Sequence, residues 1–329
     1  AEEPLHLLVG AADRVHWRRA AGQPERGEGK ALADYIANRK KGAGLGLPFA
    51  NELVRLTGVP IGLVPCAHGG TSMDQWSPDL LDKGGDSLYG ATIRRVKLLG
   101  GKAKGVLWYQ GESDANPKAA PEFSSKFDRL VQSFRKDLGQ PDLPFYYVQI
   151  GRHVSGASGV EWNQVQEMQR KAESSIAHSG MVTTIDMQLD DGIHVGTQDQ
   201  KRTGKRMANL ACHDLFPQVA ACRDFKKGPR PVSAKLSGAQ LRVTFDEVNG
   251  RLLSAGRIAG FSIHDAAGAE LPLIFRAAFD SPTSVVLHIG GKMPDGAVLR
   301  YGAGRNPYCN VRDSADMALP VFGPMTVER

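Results

Sequence analysis

The chain is expected to be an α/β protein with an all-β carboxyl part, and three observations predict this. Short apolar runs alternate with amphipathic stretches from Leu5 to Leu210, polar or glycine-rich residues follow each apolar run, and beyond Lys226 apolar residues recur at every second position. Strands alternating with helices build a parallel sheet covered on both faces, here a three-layer, flavodoxin-like α/β/α domain over residues 1–225. Period-two runs separated by turn residues build an antiparallel sandwich, placed at residues 228–329.

The elements follow in order. Leu5–Val9 reads as a buried strand entering a glycine turn, and a Gly/Arg/Lys-rich loop with one short helix near Ala31–Tyr35 follows. Pro48–Leu56 has helical spacing, and Val59–Pro65 is a second strand ending at Gly69-Gly70. Tyr89–Leu99 is a helix with Ile93, Val96 and Leu99 on one face, then Val106–Trp108 is a strand. Phe123, Phe127, Leu130, Val131, Phe134 and Leu138 repeat at helical spacing. A strand at Pro144–Ile150, a helix at Val160–Ser174, a strand at Met181–Ile185 and a helix at Gln198–Leu210 complete the alternation. In the carboxyl part, strands are read around Leu241–Phe245, Phe261–Ile263, Val285–Ile289 and Leu299–Tyr301.

Composition narrows the function classes. An apolar content of 41% with 23% charged residues is ordinary for a globular protein that folds in water. The net charge of +6 is read as scattered, its densest run being Arg39-Lys40-Lys41, so no nucleic-acid partner is expected. No apolar run reaches the ~20 residues of a span, so no membrane partner is expected either. Of the four cysteines, Cys212 and Cys222 are spaced to close a short disulfide loop, while Cys66 and Cys309 read as buried thiols. No CxxC pair exists, and neither a metal nor a cofactor is expected. The opening Ala1-Glu-Glu-Pro4, without an initiator methionine, leads to the expectation of a trimmed, secreted or periplasmic protein.

In open parallel sheets, ligands bind beyond the carboxyl ends of the strands. Four polar strand ends are candidates: Gly10 to Asp13, Gly69 to Ser72, Gln110 to Asp114, and the loop reaching His194. His194 suits a general base, and Asp191, three residues earlier, suits the carboxylate that orients it. Gly70 and Gln110 are candidate donors to an oxyanion, one through its backbone N–H and one through its amide. Glu112 and Asp114 read as loop braces or sugar ligands, with Glu112 also a candidate acid or base. Trp76, Tyr109 and Thr71 are candidates for the substrate wall.

Val59–Pro78, Gly105-Val-Leu-Trp-Tyr-Gln-Gly-Glu-Ser-Asp114 and Asp191-Gly-Ile-His194 together resemble the SGNH hydrolase superfamily. Within it they resemble the sialate O-acetylesterase and acetyl xylan esterase group, and Leu299–Asn310 resembles the terminal β-domain segment of the sialate O-acetylesterases. The resemblance implies a carbohydrate substrate, esterase chemistry on acylated sugars and a serine nucleophile in a Gly-Gln-Ser-Asn-Met motif after the first strand. Here that stretch reads Gly10-Ala11-Ala12-Asp13-Arg14, so Ala12 falls on the serine position and Asp13 on the asparagine. Three readings stay open: an esterase whose serine was replaced, a natural relative that binds glycan without cleaving it, and a glycoside hydrolase using Asp13 with Glu112 or Asp191. Ser72 is the nearest substitute hydroxyl. The oligomeric state is not legible in the sequence.

Overall fold

The computed structural model describes residues 5–10 by their backbone course and residues 44–155 and 159–329 in full. Ala12, Asp13, the helix expected near 31–35 and the basic run at 39–41 lie outside the described residues.

Among those residues the amino-terminal part comprises β1 (Leu5–Gly10), α1 (Gly46–Thr57), β2 (Ile61–Pro65), α2 (Leu88–Leu98), β3 (Gly105–Tyr109), α3 (Phe123–Asp137), β4 (Phe145–Gln149), α4 (Val160–Ser175), β5 (Ser179–Thr183), α5 (Thr197–Leu215) and the short α6 (Ala220–Arg223). The five strands are parallel in the order β2-β1-β3-β4-β5. The strand order reverses beside β1, and the crevice there is where such sheets take ligands.

Alternation along β4 shows how the layers form. Phe145 and Tyr147 pack into one apolar layer with α2, α3 and α4, while Tyr146 and Val148 pack into the other with α1 and α5. Successive side chains of a strand point to opposite faces, so a strand covered on both sides reads as one unbroken apolar run. α3 buries Phe123, Phe127, Leu130, Val131 and Phe134 on one stripe. Burial of each such side chain contributes about 1.5–3 kcal/mol. The short loop from Cys212 to Cys222 is closed by a disulfide with Cα atoms 5.0 Å apart, and Cys66 and Cys309 are buried free thiols.

β5 begins and ends two residues earlier than its apolar run suggests. Thr184 and Ile185 leave the sheet, and Ile185 packs into the core of the carboxyl part instead. That part contains β6 (Arg230–Ser237), β7 (Gln240–Asp246), β8 (Leu252–Ser254), β9 (Phe261–His264), β10 (Glu270–Leu271), β11 (Ile274–Ser281), β12 (Ser284–Ile289), β13 (Val298–Tyr301), β14 (Val311–Asp313) and β15 (Phe322–Thr326). Two four-stranded sheets, β10-β9-β13-β15 and β11-β12-β7-β6, enclose Leu241, Val243, Val285, Leu287, Ile263, Leu299 and Tyr301. β6, β11 and β15 have no clear sequence signal. β6 begins Arg-Pro and is half-exposed, β11 is a largely exposed edge strand, and β15 contains Gly323-Pro324.

The two parts meet through buried polar bonds. The Gln149 amide donates to the Val321 carbonyl at 2.8 Å and accepts from the Val321 N–H at 2.9 Å. Arg206 bonds Asp186 and the Asp316 carbonyl, and Arg230 pairs with Glu173.

Candidate active site

The carboxyl ends of β2, β3 and β5 lead into the loops that carry the candidate groups. After β5 the chain turns back on itself, with Leu189 bridging Val195 and the Asp190 N–H bonded to the His194 carbonyl at 2.9 Å. This tight turn presents Asp191 and His194 outward. His194 Nδ1 lies 2.7 Å from Asp191 Oδ2. The other carboxylate oxygen accepts the backbone N–H groups of Ile193 and His194, both at 2.8 Å. Those N–H groups, together with the imidazole, hold the Asp191 carboxyl well below the usual carboxylate range, so it stays ionised. An ionised Asp191 accepts a hydrogen bond from Nδ1–H, leaving Nε2 as the nitrogen with a free lone pair, and Nε2 makes no hydrogen bond among the described residues. The imidazole is 69% exposed, which leaves it free to meet a ligand.

Asp190 has a different task. Its Oδ2 accepts the Thr197 N–H at 3.2 Å and so caps α5.

Two residues past the end of β3 stands Gly111, whose φ of +151° and close packing both require glycine. A Cβ there would lie 2.9 Å from the Gln169 amide and 3.0 Å from Ile150. The sharp turn sets Glu112 beside the dyad. Burial pushes the Glu112 carboxyl up, backbone N–H groups and the His194 imidazole pull it down, and Asp114 pushes it up again. The loops after β3 and β5 therefore share one electrostatic environment.

Gln110 does not serve as expected. Its amide has two N–H bonds; one goes to the Thr71 carbonyl at 3.0 Å and the other to Asp114 Oδ2. Asp114 also accepts the Met73 N–H at 3.0 Å. With both protons engaged and the residue buried, the side chain ties the loop after β2 to the loop after β3 and has no donor left for an oxyanion. Gly70 keeps that capacity. It has a φ of +70°, open space where a Cβ would stand, and a backbone N–H with no acceptor among the described residues.

The expected substrate wall is also corrected. Trp76 is buried, packs edge-on against Trp108 at 5.0 Å and donates from Nε1 to Thr71 Oγ1 at 2.9 Å. Thr71 is buried too, and its hydroxyl donates to the His68 carbonyl at 2.8 Å. Both residues shape the loop from within. Tyr109 is half-buried, and its hydroxyl, 3.2 Å from Thr184 Oγ1, joins the ends of β3 and β5. Ser72 bonds Gln75 through its N–H at 3.0 Å, and its hydroxyl lies 3.4 Å from the same amide oxygen.

One set of residues was not anticipated. The loop between β13 and β14 braces the dyad's surroundings from the carboxyl part. The His153 N–H donates to the Arg305 carbonyl and the Val154 N–H to the Gly192 carbonyl, both at 2.7 Å. The Arg305 guanidinium lies 5.1 Å from the Trp162 ring centre and donates to Ser155 at 2.9 Å. Among the described residues no group of His, Cys, Asp and Glu is arranged to hold a metal.

Comparison with known proteins gives the same direction. A family model described as carbohydrate esterase, sialic acid-specific acetylesterase, matches residues 3–213. A probable carbohydrate esterase of Arabidopsis thaliana is 33% identical over 185 residues, which are 53% of this chain and 65% of that protein. The chain thus spans about 65% of the length of that curated relative. A crystal structure of a carbohydrate acetylesterase from Xanthomonas citri superposes with a TM-score of 0.71 at 26% identity, covering 87% of this chain and 66% of that one.

Proposed function

Because the chain belongs to the sialic acid-specific acetylesterase family of carbohydrate esterases, we propose that its site binds acylated sugars and is built for hydrolysis of the acyl ester. The observation that carries this reading is the Asp191–His194 pair at 2.7 Å, anchored by two backbone N–H groups beside Glu112. His194 Nε2 takes the proton of the attacking hydroxyl, Asp191 stabilises the imidazolium, and the Gly70 N–H binds the oxygen on which negative charge develops. The imidazolium then returns the proton to the departing sugar oxygen.

The attacking hydroxyl is the open element of this scheme, since position 12 carries a methyl group. We propose that the chain holds its substrate in this arrangement with at most a slow attack by water, and that a serine at 12 restores a covalent route. The test is release of acetate from an O-acetylated sugar by the chain and by its Ala12→Ser variant. The variant is expected to be faster by about 10³-fold or more, in line with removal of a nucleophile from a catalytic unit. Two inert proteins that also fail to retain the acetylated sugar would defeat the reading.

Ala12 also favours glycan binding without turnover, which retention of sugar by an inert Ala12→Ser variant would establish. A glycoside hydrolase using Asp13 and Glu112 would instead release free sugar from an unmodified glycan. The Cys212–Cys222 bridge supports placement in an oxidising compartment.

A further inference from the structure

The corner between α2 and β3 carries a surface that ester hydrolysis does not use. From Ser87 to Gly111 the chain has no acidic residue, yet Arg94, Lys97, Lys102 and Lys104 are all exposed there. None of these four forms an ion pair among the described residues. Between them stand two bare leucines, Leu98 at 86% exposure and Leu99 at 47%.

The local geometry places these groups on one outward surface. Ile93 and Val96 face the core, so Arg94, Lys97 and Leu98, at i, i+3 and i+4, share the solvent side of α2. Gly100 and Gly101, with φ of +100° and +76°, end the helix sharply. Ala103 is then buried and locked to the Gln140 amide by bonds of 2.9 and 2.8 Å. The residues either side of it, Lys102 and Lys104, are therefore turned outward.

Two of the acidic groups nearby have partners of their own, while Asp82 and Asp86 are exposed on either side of Gly84, whose carbonyl accepts from Arg94. Asp137 accepts the Tyr89 hydroxyl at 2.7 Å, and Asp142 lies 3.4 Å from His178. Lys136 adds a further exposed cation on α3.

We propose that this corner is a peripheral docking site for a bilayer carrying anionic lipid. Leu98 and Leu99 enter the headgroup region, and the four cations lie against lipid phosphates. A soluble polyanion would engage the cations but offer nothing to the leucines, which is why the lipid surface is the better match. The corner lies at the amino ends of the strands, opposite the rim bearing His194, so a docked molecule keeps that rim open to solvent. The proposal concerns peripheral docking and needs no spanning segment, and among the described residues no helix is long and apolar enough to cross a membrane.

The test is flotation of the full chain with vesicles of phosphatidylcholine alone or with one-third phosphatidylglycerol. Binding is expected only with the anionic vesicles at low salt. Lys97→Gln, Lys102→Gln and Lys104→Gln together are expected to weaken it on the order of a hundredfold. Leu98→Ser with Leu99→Ser should weaken it about tenfold or more. A dye on Leu98→Cys should shift to the blue on vesicle addition, which reports insertion in an otherwise parental chain. Absence of flotation at low salt, an unshifted dye, or full binding by either multiple variant would overturn the proposal. The assay requires no esterase activity, so its outcome is separate from that of the acetate-release test.

Discussion

Two aspartates on the loop after β5, Asp186 and Asp191, hold basic partners in opposite surroundings. Asp186 bonds Arg206, with side chains only 7% and 1% exposed, and the network extends to Arg202 and Asp316 of the carboxyl part. Asp191 bonds His194 with side chains 54% and 69% exposed. Both carboxyls are held below their ordinary range, Asp186 against its burial by the Arg206 charge and Asp191 mainly by backbone N–H groups. The partner's chemistry separates their uses. A guanidinium cannot release a proton at working pH, so a sealed Asp–Arg pair fastens two parts of a molecule. An imidazole can both take up and give up a proton, so an Asp–His pair can move one.

That contrast makes ranked predictions. In an Ala12→Ser background that releases acetate, Asp191→Asn should lower kcat by about 10⁴-fold, because an amide leaves the wrong tautomer at Nε2. Its urea midpoint should barely move, since the pair is solvated. Large unfolding by this variant would erase the distinction between the two aspartates.

Asp186→Asn should do the reverse. Leaving Arg206 charged and buried costs about 3–5 kcal/mol, read from denaturant unfolding, while the dyad itself is untouched. A stability loss below about 1 kcal/mol would show that water reaches the network.

Acid should separate them further. Burial alone would raise the Asp316 carboxyl, but Arg202, Arg206 and Arg312 outweigh it and hold it down from 3.8 to about 2. A depressed carboxyl contributes stability that is full above its unfolded value and is lost as pH falls through its folded one. Unfolding free energy should therefore drop between these two values by at most about 2 kcal/mol, and Asp316→Asn should flatten that slope. The smallest effect is expected for Arg202→Ala at the half-exposed edge of the same network, about 1 kcal/mol or less by thermal unfolding.

Legibility in the sequence followed the range of the interactions. α3 and β4 could be read because their patterns are local: a helical stripe in one case, an unbroken apolar run in the other. The end of β5 was misplaced because Ile185 is apolar for the sake of a different core. β11 carries no alternating signal because an exposed edge strand needs none. The Asp191–His194 pair was legible because three residues of turn suffice to join them.

The fold class, the order of layers and the Asp191–His194 contact were written into neighbouring residues, since periodicity and a short turn act within a few bonds. The role of Gln110 was decided only by folding, when a loop 39 residues away met it and took a hydrogen-bond donor, while Trp76 and Thr71 spent theirs inside their own folded loop. A donor is available to a ligand only if no closer acceptor has taken it, and which acceptors are close is a property of the assembled chain.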